Sequence, residues 1–174
     1  VETGQALAET SGADSSFLAG SWRGDIVLTV TKAVDVTWQS LTYPFRQAIY
    51  VASDAVVENE SVYAAVVGGR LSSTSADNIR ITSTGECFDG VYVSDSAYTL
   101  TRPTISLTGN GRCDFVGYGA ALVADGTSAN VVVDGAVISN HGAVRTGVVV
   151  TNGATALIKN SSIQVRNGTL PSDY

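Results

Sequence analysis

A chain of 174 residues, 44% hydrophobic and only 15% charged, can bury a sizeable core as one domain. Its formal charge of −6, with only 10 scattered Lys and Arg, argues against a nucleic-acid partner, because those residues hold a phosphate backbone. No apolar run approaches the roughly 18 residues of a membrane-spanning helix, so no membrane partner is expected.

The chain starts at Val1 and contains no Met, which reads as a processed or trimmed product. Residues 1–24 are mostly small and polar without a sustained period and read as an N-terminal extension and cap. Asp25 to Thr31 (DIVLTVT) and Ala33 to Trp38 (AVDVTW) alternate apolar and polar residues and predict two strands. Trp22 and Trp38 then form an aromatic plug, or alternatively a sugar platform. Leu41 to Gln47 (LTYPFRQ) reads as a Pro-containing loop; its Tyr43, Phe45 and Arg46 either pack on the flank or line a ligand groove. Gly68 to Ala76 is a Gly and Ser-rich excursion, after which Asn78 to Thr84 resumes alternation with Ile79 and Ile81 inward.

The rest of the chain repeats itself. Gly147 to Gly168 (GVVVTNGATALIKNSSIQVRNG) has earlier counterparts at Gly90 to Gly111, Ala120 to Gly142 and, more loosely, from Ala48. Placing Ala48, Gly90, Ala120 and Gly147 in one column gives steps of 42, 30 and 27 residues, a period that marks a stacked solenoid. In this alignment Cys87, Cys113 and Val144 share a column. Arg102-Pro103, Asp134-Gly135 and Lys159-Asn160 mark a polar turn, followed by Ile105, Val137 and Ile163. The expected interior is Ile79, Ile81, Cys87, Ile105, Cys113, Val132, Val137, Val144, Val149, Leu157 and Ile163. Stacked strands about 4.8 Å apart would bring Cys87 and Cys113 within bridging range, so they form one disulfide or remain two buried thiols.

No segment has a helical period with caps, and Val, Ile and Thr dominate the regular stretches. Short β-branched strands, Asn-Gly corners and stacked equivalent side chains over residues 25–168 resemble the right-handed parallel β-helix of the pectin-lyase-like superfamily. The resemblance implies an all-β solenoid of about five or six coils over residues 25–170; residues 171–174 read as its C-terminal end and, from the lack of a cap, as an expected cleavage point. It also implies a secreted enzyme acting on a polysaccharide as lyase, hydrolase or isomerase. The alternative is a non-catalytic carbohydrate-binding or cell-surface module, since the superfamily holds adhesins and surface proteins too.

Uronate lyases of this fold commonly use an Arg or Lys base beside carboxylates that hold calcium. The sequence has no stacked carboxylate cluster able to supply the six to eight oxygens calcium takes, and no metal or nucleotide cofactor is assigned. Hydrolases need paired carboxylates, but Asp125 and Asp134 sit in turns, where Asp usually accepts backbone N–H bonds. The most polar neighbourhood runs from Glu86 to Arg145. There the alignment sets Glu86 beside Arg112, with Asp89, Asp114, Tyr118, His141 and Arg145 on flanking turns and on the Gly111 to Gly119 insertion. His141 and Tyr118 are candidate proton carriers, Arg112 and Arg145 candidate oxyanion or carboxylate binders, and Asp114 completes the catalytic set. The competing reading is a set of exposed ion pairs worth about 0–1 kcal/mol each.

Three glycosylation sequons, at Asn59, Asn160 and Asn167, agree with a secreted glycoprotein. The last repeat is succeeded by nothing that could cap it. The sequence therefore predicts a second chain that continues the β-helix on Ile158, Ile163 and Val165, forming a heterodimer with a shared active site.

Overall fold

The computed structural model describes residues 2–4, 22–24, 34–38, 41–56, 65–66, 69–84, 88–109, 119–170 and 172, and every regular element among them is a β-strand. In order these are β1 (Glu2–Gly4), β2 (Trp22–Gly24), β3 (Val34–Trp38), β4 (Leu41–Ala52), β5 (Ala55–Val56), β6 (Ala65–Val66), β7 (Arg70–Leu71), β8 (Ser75–Asp77) and β9 (Arg80–Ser83). They continue with β10 (Phe88–Ser94), β11 (Ala97–Thr101), β12 (Thr104–Thr108), β13 (Ala120–Asp125), β14 (Asn130–Asp134), β15 (Val137–His141), β16 (Thr146–Thr151), β17 (Thr155–Lys159) and β18 (Ser162–Arg166).

From β8 to β15 each strand pairs in parallel with the third strand after it. One sheet runs β4-β10-β13-β16, a second β8-β11-β14-β17 and a third β9-β12-β15-β18. This recurrence fits a β-solenoid, in which each passage of the chain packs only on its neighbours. Antiparallel pairs occur as well, all among β2 to β9, including β3 with β4 and β7 with β8. The predicted loop at Leu41 to Gln47 is therefore part of a strand, hairpinned onto β3. Pro44 precedes the β4 stretch that pairs with β10, which starts at Arg46, so its missing N–H interrupts no pairing with that strand. The Gly and Ser-rich excursion likewise contains a tight hairpin, closed by a bond from Ser72 N to Ser75 O at 2.7 Å.

Parallel register stacks like on like. Ile81, Ile105, Ile138 and Ile163 form one column, and Ala76, Leu100, Val133 and Ile158 another. The earlier members of each are buried, and complete burial of an Ile or Leu contributes about 1.5–3 kcal/mol. Ile163 holds its column but is 43% exposed, because β18 has a partner only in β15 among the described residues. On the other face of the first sheet Tyr50, Tyr92, Val123 and Val149 make a separate apolar cluster, with the two rings stacked at 5.3 Å.

Several expected interior positions fall elsewhere. Val137 is 52% and Leu157 58% exposed; both point outward, while Ile138 and Ile158 take the inward places. Val132 lies outward between the buried Val131 and Val133, and Val149 belongs to the separate cluster. Consecutive apolar residues carry no phase, so the turns set it. Val144 is half-buried in a left-handed turn (φ 57). Ile79, Ile81 and Ile105 are buried as expected. Cys87 and Cys113, the strand over residues 25–31 and the side chains of Trp22 and Trp38 lie outside the described residues.

The corners form ladders of their own. Ser53, Asp95, Gly126 and Asn152 stack with positive φ, as do Asn78, Arg102, Gly135 and Asn160. Three carboxylates that immediately precede such a residue are bound by the left-handed residue of the next passage. Asp77 accepts from Arg102 at 2.7 Å, Asp125 from Asn152 at 2.6 Å and Asp134 from Asn160 at 2.9 Å. Asn suits both requirements, tolerating φ above zero and donating an amide N–H.

Candidate functional site

The third sheet ends at a corner where the chain approaches itself closely. Thr108 pairs with His141, and His141 with Arg166. Beyond them Gly109 N donates to His141 O and Gly142 N to Arg166 O, each at 3.0 Å. A Cβ on Gly142 would strike the carbonyl of Gly109, so this approach demands glycine. The corner opens as a groove of about 510 Å³ lined by Thr108, Gly109, His141, Gly142, Asn167 and Thr169, among others. His141 is exposed on its rim.

Arg145 reaches the same corner from below. It is 5% exposed, and its guanidinium donates to four backbone carbonyls: Gly109 O from Nε at 3.1 Å, Phe88 O at 2.8 Å and Gly119 O at 3.3 Å from Nη1, and Thr108 O from Nη2 at 3.3 Å. The planar fork with its five donors suits this task. Asp89 lies nearby, fully buried; its Oδ1 accepts from the amides of Gly119 and Ala120 at 2.8 Å, and Oδ2 has no hydrogen-bond partner among the described residues. Burial pushes the Asp89 pKa well above the ordinary carboxylate range, against the opposing pull of the two amides and of the Arg145 charge. The groove floor thus rests on a buried polar network. Asn140 adds to it from an inward position, accepting from Leu107 N at 3.3 Å and donating to Thr146 O at 2.7 Å.

Of the residues singled out from sequence, His141 is exposed at the groove, Arg145 and Asp89 are buried beneath it, and Glu86, Arg112, Asp114 and Tyr118 lie outside the described residues. Asp125 is held by the Tyr92 hydroxyl and the Asn152 amide, both at 2.6 Å. Asp134 is bound by Asn160 and Lys159, which keep its pKa below the usual value and its carboxylate ionised. Of the sequons, Asn160 engages its amide with Asp134, Asn167 lines the groove and Asn59 is outside the described residues. No group of three or more potential metal ligands occurs among the described residues.

Sequence reasoning missed Asp77, which is bracketed by Arg70 at 2.8 Å and Arg102 at 2.7 Å beside a second groove, on the second sheet. The signal available was Arg102, which falls in a polar turn column. Comparison with known proteins supplies no further guide: no family model, curated protein or solved structure matches the chain.

Proposed function

We propose that this chain is a right-handed parallel β-helix of about five or six coils that works outside the cell as a carbohydrate-binding module, with the His141 groove as its sugar site. The observation that carries this reading is the commitment of Arg145. A cation whose donors are bound to four backbone carbonyls has little left for a substrate carboxylate or oxyanion. Binding asks less of the corner than catalysis does. The Thr108 and Thr169 hydroxyls, the His141 imidazole and the Asn167 amide are the kinds of donor and acceptor that orient a sugar in a shallow groove.

A secreted lyase, hydrolase or isomerase acting on a polysaccharide is the second reading, and one observation favours it. Gly109 and Gly119 flank the segment that carries Arg112, Asp114 and Tyr118, and both accept from Arg145. The described residues on either side of that segment are thus tied to the side chain beneath the groove. Exposed Ile163 and Val165 at the ends of inward columns support a second chain stacked on that end. Affinity electrophoresis in gels containing neutral or uronate polysaccharides tests the binding reading. Retardation of the native chain by at least one polymer, lost in His141→Ala, is expected; free migration across the panel would refute it.

A further inference from the structure

The second sheet carries a differently built groove. Arg70 and Asp77 face each other across the β7–β8 hairpin, and Arg102 follows the Asp77 partner Thr101 at the left-handed corner after β11. One carboxylate holds both guanidiniums: Asp77 Oδ2 accepts from Arg70 at 2.8 Å and Oδ1 from Arg102 at 2.7 Å. The carboxylate is sunk between them, with a side chain 22% exposed against 56% and 62% for the arginines. The two cations flank a groove of about 660 Å³ that is also lined by Ser75, Thr99 and Thr101, neighbours of one another across the β8–β11 pairing.

Charge is unbalanced here. The trio carries two positive charges and one negative, in a chain whose formal charge is −6. Asp134, the next carboxylate along this edge, has its own cation in Lys159 at 3.2 Å, and Arg102 acts on it only as the weakest of several influences. Each guanidinium has five N–H donors, of which Asp77 engages a small part. Because Asp77 already fills the planar carboxylate position between the forks, the complement to the remaining donors is an anion with oxygens out of one plane. A tetrahedral group can accept from both arginines and from a Thr hydroxyl at once.

We propose that this groove binds the sulfate or phosphate ester group of a ligand, held between Arg70 and Arg102. The site lies on a different sheet from the His141 groove and does not depend on the carbohydrate reading of that groove. Asp77 is the positioning residue: it splays the two forks apart and weakens the attraction for anions, which keeps the site selective for groups that engage both arginines.

The test is an NMR titration that tracks the Nε–Hε resonances of Arg70 and Arg102 with inorganic phosphate, a sugar phosphate, a sugar sulfate, acetate and chloride, all at matched ionic strength. Saturable shifts are expected with either sugar ester, at least as tight as with the free anion, and none with chloride or acetate. Arg102→Asn, which suits the left-handed corner, is expected to weaken ester binding roughly tenfold or more. Asp77→Asn is expected to tighten it severalfold by removing the competing charge. Acetate matching the esters, binding of the free anion alone, or undiminished affinity in Arg102→Asn would each overturn the proposal.

Discussion

Replacing Arg145 by Met removes a buried cation while keeping much of its apolar stem. Four carbonyls lose their donor, and Asp89 loses the charge that opposes its burial. Removing one partner from a buried charged network typically costs about 3–5 kcal/mol, a large share of the ~5–15 kcal/mol that stabilises a domain. Arg145→Lys keeps the charge but places three donors on one atom, too few and too close together to reach all four carbonyls, so a loss of about 1–3 kcal/mol is expected. The pH dependence comes from Asp89. Its folded-state pKa is raised, so its contribution to stability is fully present below the unfolded value of about 3.9 and is lost as pH rises toward the folded value. Without Arg145 the folded value rises further, and the deficit of Arg145→Met should be smallest in acid and grow toward neutral pH. Adding Asp89→Asn to Arg145→Met should recover the pH-dependent part. Urea denaturation monitored by circular dichroism across pH measures all of this. An Arg145→Met variant within about 0.5 kcal/mol of the native protein would refute the structural role and return Arg145 to the catalytic candidates.

Strand phase has a sharp test in two adjacent residues. Val137→Asp, on a side chain 52% exposed, should leave the fold intact, whereas Ile138→Asp, at 3% exposure, should unfold it, because an unpaired buried charge costs several kcal/mol; the reverse pattern would shift β15 by one residue. Val144 is a β-branched residue at φ 57, so Val144→Asn should raise stability by about 1 kcal/mol in thermal melts, and a lowered melting temperature would contradict the strain. Asp134 should titrate below an ordinary Asp in carbon-detected NMR and return toward the ordinary value in Asn160→Ala, since the Asn160 amide is the first cause of its lowered pKa.

The repeat is legible in the sequence because its apolar columns recur, and three of the four starts are in register. Ile49 pairs with Val91 and Leu122 with Val148, so Ala48, Gly90 and Gly147 align as expected. The third start is Ala121 and not Ala120, because Val91 pairs with Leu122. That one-residue error arises from Ala-Ala, and the parallel one at Val137 from Val-Ile, pairs in which either residue satisfies an inward position. The corners are legible only in part: the polar turn that holds Arg102, Gly135 and Asn160 shows in the sequence, but Arg102 stacks on Gly135 and not on Asp134, and the left-handed conformation these residues share with Asn78 follows from no single residue type. Arg145 is recognisable as polar and reads as a surface residue, as Arg usually is. Its burial depends on carbonyls from residues 26 to 57 positions away, and nothing local announces them.

Whether the His141 corner binds sugar without transforming it can be decided by incubating the native chain with a polysaccharide that retards it and assaying for new reducing ends and new double bonds. Retention that requires His141, with neither product above the level of a protein-free control, is the expected outcome. Release of either product by the native chain but not by His141→Ala would contradict the binding role and establish the enzyme reading.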